Sequence, residues 1–473
     1  MTKPNANSAD SVSTGSSRVG RRRFLQTAGA SALAVSFAGC TGDGGDGGDG
    51  GGGGGNGGGG GGGGDGGDGG GTTGEPQIEG PVKLGLLAPL PESIALGRAY
   101  ANAGKIVTKR LNDAGGLLGA EVELVIKDSE LNASKTQQAY RELVLQEEVD
   151  ATFGLLSTEP LNQILGDIAS QQKIHITSGT GNTGLNDEIR NNYENRKYVF
   201  RSHQNGYIQG YNLTNYFDEY ADDIGVSDIA IMLEDIEGYK PHAQAIREHL
   251  PDGMSIQMDE IFSPGTEDYR PLLRQAERAN VDMAVVFVSV TGPTLINQWA
   301  SMQPNFALGG FSIAASDPKF YENNPSAEYM MTGVPGAVAN YTPTELTSTF
   351  IQEHKDMFDG AVPPYYTAYT THDAIWSWAK AVEEAGTLNE DDVIATLEDG
   401  SWEGVQGQMD YYKGDETFAD TDFKFAHDLR FGEDGVQPPN YQWQVQDGEG
   451  EQVVLWPESA RQGEFQWPDW IDR

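Results

Sequence analysis

The feature that most limits how this chain folds is an alternation of short apolar runs with longer amphipathic stretches, and it occurs twice. PVKLGLLAPL opens the first round: Val82, Leu84, Leu86 and Leu87 read as a buried strand, and Pro89 ends it. Over residues 94–111, Ala99, Ala103, Ile106, Val107 and Leu111 recur at helical spacing, and NDAGG stops the helix. VELVIKD, ATFGLL and KIHITSG then predict strands, with helices over 133–145 and 161–169 between them. The pattern restarts at Asp228 with the strands DIAIMLE, MSIQMDEIF and VDMAVVFVS, separated and followed by helices over 242–250, 269–278 and 295–302. Strands that alternate with helices over short connections form mostly parallel sheets covered on both faces. Two such rounds predict an α/β fold of two Rossmann-like lobes. Beyond Met331, the aromatic-rich helix YTAYTTHDAIWSWAKAVEEAG, an acidic helix over 389–398 and an extended tail from Tyr441 are too small for a third domain and are expected to complete the two halves.

The first eighty residues are of another kind. A lone cysteine, Cys40, excludes an internal disulfide and a four-cysteine metal cluster. Ahead of it stand Arg21, Arg22 and Arg23, then Phe24-Leu25 and the short apolar run AGASALAVSFAG, too short to span a bilayer. Positive, apolar and small residues in that order have the build of an export signal. RRRFL looks like a twin-arginine signal and FAGC resembles a lipobox, which makes Cys40 the expected lipid attachment point. Glycine and aspartate then run almost unbroken to about Gly71. Glycine has nothing to bury and loses the most entropy on ordering, so 41–80 is expected to be a disordered tether after a signal at 1–40. A coil of about thirty to forty such residues spans roughly 30–40 Å.

The formal net charge is −39, from 70 acidic against 31 basic side chains. That balance repels nucleic-acid backbones and anionic headgroups. The acid is dispersed, which suits a protein that stays soluble in concentrated salt, where self-repulsion is screened. A halophilic source is the expectation, and an ordinary acidic protein the alternative. Motifs for common chemistry are missing: no GxGxxG, no GxxxxGK[ST], no HExxH, and no Ser/His/Asp set at a telling spacing. No enzyme, cofactor or metal is expected. GTGNTG, residues 179–184, is either an anion-binding nest of backbone amides or a turn. His175 lies inside a strand and reads as a core residue, whereas His203 has the option of facing a cleft.

Several stretches taken together are similar to the type I substrate-binding proteins of ABC importers, in the branched-chain amino acid and amide branch. KLGLLAPL followed by LNDAGGLLGAEVELVIKD resembles the family's opening. KYVFRSHQNGYIQG resembles its crossover, THDAIWSWAKAVEEAG its Tyr-Asp-Ala helix with His372 in place of the tyrosine, and WEGVQGQMDYYKGD its Gly-Asp turn. The resemblance covers nearly all of 81–460. It implies two lobes with a central ligand cleft and a three-crossover hinge, lobe one being 81–200 plus 332–439 and lobe two 201–331 plus 440–473. It further implies an extracellular, membrane-anchored receptor for a small-molecule solute, partnered by an ABC permease and its ATPase. A stand-alone sensor lipoprotein signalling to a membrane transducer has the same features and stays open.

Carried residue by residue, the resemblance puts Ser157 and Thr158 where the family meets a ligand carboxylate, at a helix start that favours anions. The family's next contact falls on Gly181, beside Thr180, and its aromatic contact from lobe two nearest Tyr239. Its ammonium-pairing acid falls near Thr291, with no acid between Asp282 and Asp317. The ligand is then an amide, a carboxylate without an amine, or an amine met by another acid such as Asp235. Tyr365 and Tyr366 belong to the pocket or to the core. Two outcomes are expected. Replacing Cys40 with Ala moves the protein from the membrane fraction to the medium, and unchanged retention contradicts the anchor. The melting temperature falls as salt is lowered from molar to about 10 mM, because the Debye length grows several-fold, and a flat curve contradicts the halophilic reading.

Overall fold

Val82–Ala88 forms strand β1 with no exposed side chain, because apolar residues stand on both its faces. Around it, in a computed structural model, the chain runs α1 (Ala95–Asp113), β2 (Val122–Asp128), α2 (Ala133–Leu145), β3 (Ala151–Gly154), α3 (Thr158–Gln171), β4 (His175–Thr177), α4 (Gly184–Asn191), α5 (Tyr193–Arg196), β5 (Val199–Arg201) and α6 (Gly206–Ile224). The five strands are parallel in the order β2-β1-β3-β4-β5. The second round gives β6 (Asp228–Glu234), α7 (Lys240–His249), β7 (Ser255–Phe262), α8 (Arg270–Arg278), β8 (Met283–Val288), α9 (Gly292–Met302) and β9 (Ala307–Ser312), parallel in the order β7-β6-β8-β9. The structure describes residues 78–472 apart from 92–94, 339 and 359–363. The arginine motif, Cys40 and the Gly/Asp tract lie outside the described residues.

The remainder comprises α10 (Phe320–Asn323), β10 (Met331–Gly333), α11 (Glu345–Met357), α12 (Tyr366–Ala385), α13 (Glu390–Asp399), β11 (Trp402–Glu403), β12 (Gln408–Met409), β13 (Asn440–Gln446) and β14 (Glu449–Trp456). It divides between the two sheets. Ala374, Ile375, Trp378 and Val382 of α12, with Val393 and Leu397 of α13, share a core with β1 and β3, where Trp378 meets Phe153 edge-on at 5.9 Å. Burying each large apolar side chain there contributes roughly 1.5–3 kcal/mol. Strands β10, β13 and β14 form an antiparallel sheet. Its Tyr441, Trp443 and Val454 pack with Met232, Val286 and Leu308 of the second parallel sheet.

Several elements depart from the sequence reading, and four show why. Helix α3 starts at Thr158, three residues before the apolar pattern, because Pro160 sits in its first turn, where the missing N–H has no partner to lose. Helix α6 was not foreseen, since its buried face includes Gly206, Gly210, Asn212 and Thr214, which dilute the apolar period. Strand β9, ALGGFS, carries two glycines, and α11 is polar over most of its length.

The chain crosses between the sheets after β5, and a buried ion pair sits there. Arg201 and Asp428 are both inaccessible to solvent and lie 3.2 Å apart. Asn205 Nδ2 donates to the same carboxylate at 2.8 Å, and Arg201 Nη2 donates to the Asn182 carbonyl at 2.7 Å. Burial pushes the Asp428 carboxyl up, against the pull of Arg201. A second buried carboxylate, Asp373, accepts from the N–H groups of Val405 and Gln406, and the Gln406 side chain donates on to the Ser202 carbonyl at 2.9 Å. Removing one partner of a buried pair strands the other charge. Asp428→Leu or Arg201→Met alone is expected to cost about 3–5 kcal/mol. The double variant should cost less than the sum, and strict additivity in denaturant titrations contradicts this account.

Candidate ligand cleft

At the carboxyl ends of both parallel sheets lies an open cleft with a cavity volume of about 320 Å³. One wall begins at α3. Ser157 is its N-cap, with extended backbone (φ −119°, ψ 149°), yet the side chain makes no capping hydrogen bond. The first-turn N–H groups of the helix therefore get no partner from Ser157, which suits an incoming anion. Ser157 and Thr158 both line the cavity, as do Gly179 and Gly181 from the loop after β4. Gly181 is held on both sides. Its carbonyl accepts the Gly206 N–H at 2.7 Å, and a Cβ at this position would lie 2.8 Å from the carbonyl oxygen of Gly238, which follows β6. The loops of the two sheets thus touch here, and only the absence of a side chain permits it.

The opposite wall is aromatic. Tyr239 ends a short turn after β6 and packs edge-on against His242 (5.7 Å) and Phe311 (6.0 Å). Tyr366 lines the same cavity, whereas Tyr365 stands behind it with its hydroxyl donating to the Ile313 carbonyl, so the pair divides between pocket and core. His203 faces the cavity, and so do His242 and Gln209; Gln209 is the glutamine that ends the crossover motif KYVFRSHQNGYIQG before Gly210, whereas His242 reads from the sequence only as one polar residue in a helix.

Two expected residues do not reach the cavity wall. Thr180 is buried between Gly179 and Gly181 but is not among the lining residues. The Thr291 hydroxyl is 2.6 Å from the Tyr269 hydroxyl, and it is Ser289 and Val290 of that loop that line the cavity. Asp235 is also away from the wall, mostly exposed and 3.8 Å from Lys240. An acid that adjoins a lining residue on this side is Glu234, buried at the end of β6, which accepts the Ser289 N–H at 2.6 Å. It escaped the sequence reading because it closes an apolar strand, DIAIMLE, whose last side chain has the same burial as the rest.

The electrostatics are those of dipoles, not ions. Among the described residues no Lys or Arg lines the cavity, and Glu159, on the exposed side of α3, is the one carboxylate that does. Burial holds the imidazoles of both His203 and His242 down at about 3, so each is neutral near pH 7. His175, in the core of the first sheet with Nδ1 3.0 Å from the Thr152 hydroxyl, is held at about 3 for the same reason. In the unfolded chain these rings titrate near 6.5. Between that value and about 3 the unfolded state binds more protons, so their contribution is complete above pH 6.5 and is lost as pH falls. The melting temperature should therefore drop from pH 6.5 to 5, above the carboxylate range, and His175→Leu should flatten that slope. An equal slope in the variant contradicts the assignment.

Residues 81–433 match the model of the family described as periplasmic binding protein, and the chain belongs to that family. The fold is that of known substrate-binding proteins. A putative branched-chain amino acid ABC transporter protein from Silicibacter pomeroyi is 17% identical, with a TM-score of 0.69 over 83% of this chain and 100% of that one. The branched-chain amino acid transporter substrate-binding protein of Streptococcus pneumoniae, in complex with isoleucine, is 18% identical (TM-score 0.62, 78% and 98% covered). A solute-binding protein from Rhodopseudomonas palustris, in complex with 3,4-dihydroxybenzoic acid, is also 18% identical (0.63, 79% and 96%). No curated protein matches the chain in sequence.

Proposed function

We propose that this protein is the substrate-binding component of an ABC importer and that its solute is a small monocarboxylate with an apolar or aromatic body and no α-amine. The observation that carries the reading is the pairing of an uncapped helix N-terminus at Ser157 with a cavity whose described lining holds no Lys, no Arg and, apart from the exposed Glu159, no carboxylate. A carboxylate is met by backbone N–H groups and hydroxyls at the start of α3. Among the described residues an ammonium finds no such partner, since Thr291 is engaged with Tyr269 and Glu234 is bonded to the Ser289 N–H. Burying an unpaired ammonium is costly. Tyr239, His242, Phe311 and Tyr366 offer flat apolar surface to the body of the solute. The structural neighbours include proteins in complex with isoleucine, with benzoate and with 4-hydroxybenzoate, so both amino acids and aromatic acids have been held by this fold.

In this reading, lobe one (81–200 plus 332–439) supplies the carboxylate end and lobe two (201–331 plus 440–473) the aromatic wall. A lipid on Cys40 and the glycine tether keep the receptor at the outer membrane face, beside the permease that takes the solute. Calorimetry with leucine against 4-methylvalerate, and with benzoate and 4-hydroxybenzoate, tests the solute class. A charge-assisted hydrogen bond is worth about 1.5–3 kcal/mol, so a cleft that lacks one gives leucine no advantage of that size over its deaminated analogue. A preference for leucine above about a hundred-fold overturns the reading and makes Glu234 the amine's partner.

A further inference from the structure

Five large apolar side chains are exposed among the described residues, and two of them, Leu131 and Val290, line the cavity, one from each parallel sheet. Leu131 is 47% exposed and Val290 77%. Such exposure gains little burial energy for the fold, and in Leu131 it is coupled to strain. Glu130 and Leu131 are consecutive left-handed residues, φ 47° and 49°, in the turn between β2 and α2. That conformation suits glycine and disfavours a branched side chain.

The turn is fixed in place from both ends. Asp128 Oδ1 accepts the N–H groups of Glu130 (2.8 Å) and Leu90 (3.0 Å), and the Ser129 N–H donates to the Ala88 carbonyl at 2.9 Å. Asn132 caps α2 through the N–H groups of Ser134 and Lys135. Val290 sits on an equally fixed loop: the Ser289 N–H is held by Glu234 and the Thr291 hydroxyl by Tyr269. Each sheet therefore carries an apolar side chain to the cavity on a pinned turn while leaving it open to solvent. Strain of this kind persists where the surroundings over-determine it, and it collects at ligand clamps.

We propose that Leu131 and Val290 are the retaining residues of the cleft: they close over the apolar end of the bound solute and set its rate of escape. The proposal rests on the reading of this cavity as the solute site. A solute whose carboxylate is held at α3 leaves past these two side chains, which must lose contact with it. Solutes with an apolar outer end are retained, and those with a charged outer end leave quickly.

The test has two arms. In the first, the full chain carrying Cys40→Ala, Leu131→Cys and Val290→Cys is treated with a short bismaleimide, and the peptides are weighed. A crosslink joining positions 131 and 290 is expected. Single modification of both thiols without a crosslink overturns the proposal. In the second, stopped-flow kinetics use 4-hydroxybenzoate and leucine as probes. Val290→Ser and Leu131→Gly should each speed dissociation about ten-fold, with association changed less than two-fold. Leu131→Gly also relieves the left-handed strain, so its melting temperature should hold or rise. Faster dissociation without loss of stability separates retention from a structural role, and an unchanged dissociation rate overturns the proposal. If the unsubstituted chain binds neither probe, the monocarboxylate reading fails, and the crosslinking arm still decides whether the two side chains meet.

Discussion

Parallel strands impose the constraint from which the rest follows. A right-handed crossover returns each strand in the same direction, so all the loops after the strands gather at one edge of each sheet. Here that edge supplies most of the cavity wall. Leu131 follows β2, Ser157 and Thr158 follow β3, Gly179 and Gly181 follow β4, and His203 follows β5. From the second sheet, Gly238 and Tyr239 follow β6, Ser289 and Val290 follow β8, and Ile313 follows β9. No antiparallel arrangement of the same strands would bring these turns to one place.

Two sheets facing each other across such an edge must be joined without blocking it. The crossover after β5 does this with polar groups in the interior, where Arg201, Asp428 and Asn205 satisfy one another and Arg201 also holds the Asn182 carbonyl. The arginine thereby connects the joint to the loop that carries Gly181, and Gly181 is where the two sheets come into contact through Gly238. Packing alone would not fix that loop so tightly, because a buried charge tolerates few positions for its partners.

The cavity is notable for the charge it lacks. A chain with a formal charge of −39 creates a field that opposes anions, yet among the described residues no Lys or Arg is spent on the cavity wall, and its histidines are kept neutral by burial. Helix ends and hydroxyls act at short range, within the first turn, and are less exposed to screening by salt than a long-range surface field.

The fold class was legible because the alternation of apolar runs and amphipathic helices is a local pattern, and Val82–Ala88, Val122–Asp128 and Asp228–Glu234 fall where that pattern puts them. Ser157, Thr158, Gly181 and Tyr239 were named from the sequence through family motifs, and all four meet at one cavity. What only the tertiary structure decided were the partners. Thr291 turns to Tyr269, Asp235 to the surface, and Glu234 to Ser289, each according to neighbours brought in from more than twenty residues away or by the local turn. His242 and Val290 reach the cavity, while Thr180, flanked by two lining glycines, does not. A residue's propensity and periodicity are set by its near neighbours in the chain, whereas the direction in which a loop side chain points is set by contacts between segments far apart in sequence, and those exist only once both sheets are formed.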